Sequence, residues 1–386
     1  MSASAAPVLR RTRYGAVLFE PERARYTQLT AQDADILLRR VAGEPAPAPP
    51  HLDGLAAAAT AAGGRLRVLP EAPFNVPLKL FVNLTKRCNL YCAHCFNGSG
   101  EKDAVELPYD PLCATLDACR RLGVFKLTLA GGEPLIYTRF DELCRRLAGT
   151  GFDVSIVTNG IPLATGRRAA AIADCDAIRS VTISLDGATE ETNALMRGAG
   201  SFAGALAGLR RLLATYAGEV SLRTTVHRGN RHEGPALVEL AVREGVRRLK
   251  INRLNPYGRG ASLDGRLLAD EEFEAFGRDL VVLAGREGVS VEVPANKYLV
   301  EKSGLLGLCR AGVETLEIDA DGRVYPCSFS NGGFCLGSIV DGGFEAALAE
   351  AEAFSINNDF CMRCRGRGGT QKRPIGYVPG LLEMAG

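Results

Sequence analysis

The stretch LKLFVNLTKRCNLYCAHC, Leu78–Cys95, runs a β-strand candidate straight into three cysteines, Cys88, Cys92 and Cys95. Leu78–Leu84 reads as an apolar strand. The thiols behind it form an odd set, whereas a closed zinc site takes four ligands and a disulfide takes two. A cubane 4Fe–4S cluster has four irons, each wanting a thiolate-like ligand, so three cysteines would leave one iron open. An open coordination position is where substrate or cosubstrate binds a metal. A zinc site completed by a distant fourth ligand, and plain buried cysteines, are the alternatives.

Outward from this stretch the pattern repeats. Strand candidates LKLFVNL, FKLTLA, DVSIVT, SVTISL, VSLRTTV and RLKINRL alternate with helical patterns such as PLCATLDACRRLG, RFDELCRRLAG and GPALVELAVREG. Near-continuous apolar strands divided by helices indicate a parallel sheet with right-handed crossovers. Six units fall short of the eight of a closed barrel. The expected fold class is α/β: a partial (β/α)6 TIM-like barrel, with an open doubly wound sheet as the other layout. In both, ligand chemistry belongs at the carboxyl ends of the strands. The triple-cysteine loop follows the first strand, AGGEP the second, TNG the third and SLDG the fourth, all at that end.

Ahead of the repeat, YGAVLFE and ARYTQLT are short strand candidates and AQDADILLRRVAG a helix. EPAPAPP, Glu44–Pro50, reads as a semi-rigid linker or domain seam, and LDGLAAAATAAGG as a second helix. From about Cys309 onward cysteine, glycine and short strand candidates replace the repeat, marking a smaller C-terminal domain. The expected boundaries are 1–72 for an N-terminal α+β module, 76–295 for the barrel, 300–372 for a cysteine-rich domain and 373–386 for a tail.

The 386 residues allow two or three domains, and a net charge of +2 gives no reason to expect nucleic acid or a membrane surface. No apolar run approaches the ~18–20 residues of a membrane span. The N-terminus lacks the apolar core of a secretory signal, so a cytoplasmic location is expected. Twelve cysteines are too sparse for a disulfide scaffold in a chain this long. Cys113, Cys119, Cys144 and Cys175 lack ligand spacing and read as small buried hydrophobes. The basic run Cys364–Pro374 reads as a solvated loop.

CNLYCAHC resembles the signature of the radical S-adenosylmethionine (SAM) superfamily, and the resemblance extends from Leu78 to Cys364. It implies that Cys88, Cys92 and Cys95 hold a 4Fe–4S cluster whose open iron chelates SAM, which is cleaved to a 5′-deoxyadenosyl radical. It further implies cosubstrate contacts. His94 would offer a planar ring. Gly131, Gly132 and Glu133 of GGEP would meet the methionine amino group, and Ser184 and Asp186 the ribose. Arg197 would pair with the methionine carboxylate. Asn159 and Asn252 are further candidates, the latter beside Arg253 in NRLNPYGRG. Cys309, Cys327, Cys361 and Cys364 resemble the auxiliary 4Fe–4S site of a twitch, or shortened SPASM-like, domain; a structural four-thiolate zinc site is the alternative. Cys335 is left over, either a hydrogen-atom donor to a substrate radical or a buried or alternate-ligand cysteine.

The N-terminal stretch is similar to the leader-recognition domain of peptide maturases, which binds a precursor as an added edge strand. It would otherwise be a cap over the barrel mouth. The expected substrate is therefore a ribosomally made precursor peptide undergoing cross-linking, oxidation or epimerisation. A small sugar or aminocyclitol is the alternative, and a non-catalytic metal scaffold a third reading. A flavodoxin- or ferredoxin-type protein would supply electrons.

Overall fold

The structure, a computed structural model, describes residues 6–12, 15–21, 25–61, 66–293, 312, 314–328 and 335–356. Cys309, Cys361, Cys364, the whole basic run Cys364–Pro374 and the tail 373–386 lie outside the described residues.

Four strands open the chain: β1 (Val8–Thr12), β2 (Gly15–Glu20), β3 (Arg25–Leu29) and, after helices α1 (Ala31–Val41) and α2 (Pro50–Ala61), β4 (Arg67–Leu69). They pair in the order β3-β2-β1-β4. Thr30 caps α1 by accepting a hydrogen bond from Asp33 N at 3.0 Å. Glu44–Pro49 links two helices of this one module and Pro50 starts the second, so the proline-rich stretch is no domain seam. The missed strands β1 and β4 are short, and only their pairing with each other and with β2 makes them strands.

Alternation along β1 and β2 splits the module's contacts. Leu9 and Leu18 face α1 and α2, packing with Leu37, Leu52 and Leu55, while Val8 and Phe19 join the core of the barrel. Phe19 stacks on Phe125 at 4.8 Å between ring centroids. Phe125 N donates to Tyr26 Oη at 3.1 Å, Arg10 Nη1 donates to Pro77 O at 3.1 Å, and Gln28 Nε2 donates to Glu314 Oε1 at 3.1 Å. Burial lowers the Arg10 pKa to about 10.

The barrel strands are β5 (Lys79–Asn83), β6 (Lys126–Ala130), β7 (Asp153–Thr158), β8 (Ile178–Ser184), β9 (Glu219–Val226), β10 (Arg248–Arg253) and the short β11 (Ser290–Glu292). Between them run α3 (Tyr109–Leu122), α4 (Phe140–Leu147), α5 (Arg167–Ala173), α6 (Glu190–Arg197), α7 (Ser201–Leu213), α8 (Gly234–Arg243) and α9 (Asp270–Arg286). β5 to β11 pair in sequence order and in parallel. An order that never reverses keeps the crossovers on one face, which excludes the doubly wound layout. At the other edge β5 pairs in parallel with β12 (Thr315–Ile318), followed by antiparallel β13 (Arg323–Tyr325) and β14 (Gly337–Ser338). The C-terminal strands thus continue the barrel's own sheet, and the barrel stays open.

The strands are less uniformly apolar than expected. Leu80 and Val82, Leu127 and Leu129, Val154 and Ile156, Val181 and Ile183, Leu222, Leu249 and Ile251 belong to the buried core. The residues between them are largely polar, including Asn83, Thr128, Ser155, Thr182, Ser221 and Lys250. Thr182 and Ser221 hydroxyls lie 3.0 Å apart, and Ser180 Oγ donates to Ser155 Oγ at 2.8 Å. One face packs on helices and the other lines the concave interior. Cys119, Cys144 and Cys175 sit in the core as expected, whereas Cys113 is half-buried. Among the described residues no helix is long and apolar enough to cross a membrane.

The module's partners Pro77, Gly123, Phe125 and Glu314 all precede barrel strands. It therefore covers the amino ends of the strands and leaves the mouth at their carboxyl ends clear, which corrects the cap alternative. Phe19→Ala should remove this docking contact and cost about 3 kcal/mol, read as a fall in the chemical-denaturation midpoint. An unchanged midpoint would show that the module is not packed on the barrel floor.

Candidate active site

The cysteine loop leaves β5 and is tied down by segments that follow β6, β7, β8 and β10. Cys88 N donates to Gly100 O at 3.0 Å and Cys95 N to Cys92 O at 3.1 Å, which sets the loop's own shape. From the end of β6, Gly132 N donates to Thr85 O at 2.6 Å and Glu133 N to Arg87 O at 3.0 Å. A Cβ on Gly131 would meet Thr85 O at 2.5 Å, and one on Gly132 would meet Arg87 O at 2.2 Å. The glycine pair is therefore demanded by the approach of the cysteine loop's backbone, before any cosubstrate is considered.

Glu133 is wholly buried. Its carboxylate accepts from Thr158 Oγ1 at 2.6 Å, Asn159 N at 2.7 Å and Leu135 N at 3.1 Å. Burial pushes the Glu133 pKa up to about 7 against those three donors. At the end of β7, Asn159 Nδ2 donates to Asn89 Oδ1 at 2.8 Å and lies 4.0 Å from Cys88 Sγ. Glu133 and Asn159 thus hold the cysteine loop.

His94, Asp186 and Arg197 converge. Asp186, just past β8, has no solvent exposure. Its Oδ2 lies 2.7 Å from Arg197 Nε and 3.2 Å from His94 Nε2, while Oδ1 accepts from Thr225 N at 2.7 Å. Burial works to raise this carboxyl, but Arg197 and His94 outweigh it and hold it below the usual range. The grouping is docked on α6, where Ala93 N donates to Met196 O at 2.7 Å. Both oxygens of the Asp186 carboxylate are thus engaged inside the protein. Ser184 is buried at the end of β8, and Asn252 is half-buried on β10. Arg253 is turned away, bonded to Asp270 and Leu268 O at the start of α9.

Arg259 is the residue that sequence reasoning missed. Its Nε donates to Cys92 O at 2.8 Å, Nη1 to Gly98 O at 2.7 Å and Nη2 to Ser99 O at 2.8 Å. Its backbone N donates to Cys95 O at 3.0 Å, and its guanidinium lies 3.8 Å from the Tyr91 ring centroid. The preceding Gly258 has φ +55°, and a Cβ there would meet Phe96 O at 2.2 Å. The available signal was the dense NPYGRG turn after the last long strand.

Three tests bear on whether a cluster and SAM fit. Among the described residues no three Cys, His, Asp or Glu side chains converge as a single ion requires. The Cys88 thiol nevertheless feels Cys92 and Cys95, and burial pushes its pKa up to about 12; a bound cationic cluster would reverse that bias. Spaced thiols on one loop suit a cubane better than one ion. Beside them Asp186 Oδ2 and Arg197 Nε are taken up by each other, and His94 Nδ1 is buried without a well-directed hydrogen bond, the one atom of the three that a ligand could still engage.

Cys335 stays outside this site. It is exposed, its Sγ donates to Gly337 O at 3.1 Å, and it precedes β14, three strands out from β5. Continuing the Val324↔Gly337 register sets it opposite Pro326, next to Cys327.

Residues 82–241 match the radical SAM superfamily and residues 309–365 an iron–sulfur cluster-binding domain, SPASM. The mycofactocin maturase MftC of Mycobacterium ulcerans is 34% identical over 289 residues, spanning 74% of this chain and 78% of that protein. The chain belongs to the radical SAM superfamily. As a radical SAM enzyme it uses a 4Fe–4S cluster and SAM, and its SPASM region carries auxiliary iron–sulfur chemistry. A PqqA peptide cyclase of Rhodopseudomonas palustris is 33% identical over 191 residues, 48% of this chain and 49% of that protein. The fold is that of Streptococcus suis SuiB bound to precursor peptide SuiA, with TM-score 0.71 at 14% identity over 93% of this chain and 91% of that one.

Two measurements check the radical SAM site. Arg259→Ala should release three loop carbonyls at a cost of roughly 3 kcal/mol in loop order and lower the iron bound per chain after anaerobic reconstitution. Arg253→Ala should leave the iron content unchanged; equal effects of the two would remove Arg259 from the site. Glu133→Gln places an amide N–H against donors and should cost ~1–3 kcal/mol. The folded Glu133 pKa of about 7 exceeds the ~4.3 of a free glutamate, so its contribution is full below the unfolded value and falls as pH rises through the folded one. The deficit of the variant should therefore shrink over that window, read from denaturation midpoints. A deficit that grows with pH would show Glu133 ionised throughout.

Proposed function

We propose that this radical SAM enzyme modifies a ribosomally made precursor peptide by cross-linking, oxidation or epimerisation. The reading is carried by the four-stranded N-terminal module, in which β3 has a strand partner on one side only among the described residues. A leader segment could add there as a further strand, its backbone groups satisfying the open edge. Support also comes from the similar proteins, a maturase and a peptide cyclase by name.

When bound, the cluster and SAM supply an electron and a 5′-deoxyadenosyl radical that takes hydrogen from the substrate. Cys88, Cys92 and Cys95 are assigned to three irons, with Arg259, Asn159 and the Gly131–Glu133 turn holding their loop. Arg197 and His94 face the cosubstrate, and Asp186 fixes the direction of both. Ser184 and Asn252 are assigned to the cosubstrate from the concave face. Cys309, Cys327, Cys361 and Cys364 are assigned to one auxiliary 4Fe–4S cluster in a domain spanning 300–372, with Cys335 beside Cys327 rather than acting as a hydrogen donor. The N-terminal module is assigned to 1–72 and the barrel to 76–295. A flavodoxin- or ferredoxin-type donor and a cytoplasmic location suit thiols that must stay reduced.

The anaerobically reconstituted enzyme, given SAM, a strong reductant and each short peptide encoded beside its gene, should change one of them. Mass spectrometry would read a lower mass for cross-linking or oxidation, and an unchanged mass with altered retention for epimerisation. Formation of 5′-deoxyadenosine with every such peptide unaltered would defeat the peptide reading.

A further inference from the structure

The concave face of the sheet carries cations that lack carboxylate partners. Lys79 on β5, Arg223 on β9 and Lys250 on β10 alternate with the core residues Leu80, Leu222, Leu249 and Ile251, so all three point inward. Each is half-buried. Lys126 on the same face has Asp153 at 3.4 Å, but these three have no such neighbour among the described residues. Lys250 Nζ donates to Thr182 Oγ1 at 3.2 Å, Lys79 Nζ lies 4.6 Å from the Phe81 ring centroid, and Arg223 Nε is buried without a hydrogen bond.

Their surroundings do not neutralise them. Glu292, the register partner of Lys250 on β11, is exposed and acts on all three cations through space, as Glu219 does on Lys250, but neither comes within ion-pair distance of them. Glu314 acts on Lys79 in the same way. Glu317, on β12, is engaged with Asn83 Nδ2 and Ser328. For all three cations burial is the largest influence and opposes the charged form. Lys79 also feels the charge of Arg223, although four strand spacings separate β5 from β9, as an inward-curling sheet allows.

Half-buried cations without counter-ions are held at a cost unless a ligand supplies the negative charge. A guanidinium flanked by ammonium groups suits a carboxylate, with the fork donating to both oxygens. We infer that Arg223, Lys250 and Lys79, which have no carboxylate within ion-pair distance among the described residues, form an anion-binding subsite inside the barrel that takes a carboxylate of the substrate. Arg223 sits three residues before the end of β9, so an anchored carboxylate places the reacting carbon within about 10 Å of itself, toward the cysteine loop. The inference deepens the peptide reading and rests on it for the source of the carboxylate, which is either a chain terminus or an Asp or Glu side chain.

Calorimetric titration of the reconstituted, SAM-loaded enzyme with three probes tests it: N-acetyl-glycylglycine, its C-terminal amide, and N-acetyl-aspartate blocked as the α-amide. Saturable binding of at least one acid, weaker at high salt, with no binding of the neutral amide, supports the subsite. Preference for the first acid marks a chain terminus, and preference for the second a side chain. The acid that binds should slow acetylation of Lys79 and Lys250 by an N-hydroxysuccinimide ester, a readout on the unaltered protein. Arg223→Gln and Lys250→Gln should each weaken it by about tenfold, while Arg223→Lys and Lys250→Arg retain most of the affinity. Equal binding of acid and amide, no saturable binding, tighter binding of inorganic phosphate, or unprotected lysines overturns the inference. A peptide modified equally well by Arg223→Gln also overturns it and leaves the peptide reading intact. Acids that bind while no peptide is modified support the subsite and reject the peptide.

Discussion

A loop that must present three thiols to a metal cluster cannot be a helix or a strand, and so cannot satisfy its own backbone. Its carbonyls and N–H groups need partners from elsewhere, and a parallel barrel offers them, since each strand ends at the same rim. Here four segments of the rim hold the loop. The Gly131–Glu133 turn takes its base at Thr85 and Arg87, Asn159 takes Asn89, the end of α6 takes Ala93, and Arg259 takes Cys92, Gly98 and Ser99. Arg259 matters most in this respect because one planar guanidinium reaches three carbonyls at once.

The same requirement explains the buried charges. Asp186 is shut away from water, a costly place for a carboxylate unless it is matched. Arg197 and His94 match it from two different elements, α6 and the cysteine loop. The ion pair therefore couples the loop's orientation to the helix that follows β8. It also leaves Nδ1 of His94 buried without a well-directed hydrogen bond.

The barrel has two differently used ends. At the carboxyl ends lie the thiols and the matched charges; at the amino ends the N-terminal module packs Phe19 on Phe125 and Arg10 on Pro77 and Gly123. Between them the sheet is polar on its inner face, because it has helices on one side only. A sheet open at its edge leaves a polar, cation-bearing concave face, which a packed eight-stranded barrel would fill with side chains.

Much of this was legible in the sequence. Period and turn chemistry are local properties, so six strands, their helices and the placement of every glycine-rich or polar segment at one rim could be read in order from Leu78 onward. The three-cysteine spacing likewise carried the cluster and, by resemblance, SAM. Other features depended on partners far along the chain. β1 and β4 are strands only because they pair, the GG turn is needed by a backbone more than forty residues before it, and Arg259 acts on a loop 160 or more residues away. Local sequence determined which elements form and which chemistry they carry. Tertiary structure alone decided which charge is matched and which is left open, because burial and distance are properties of the folded chain.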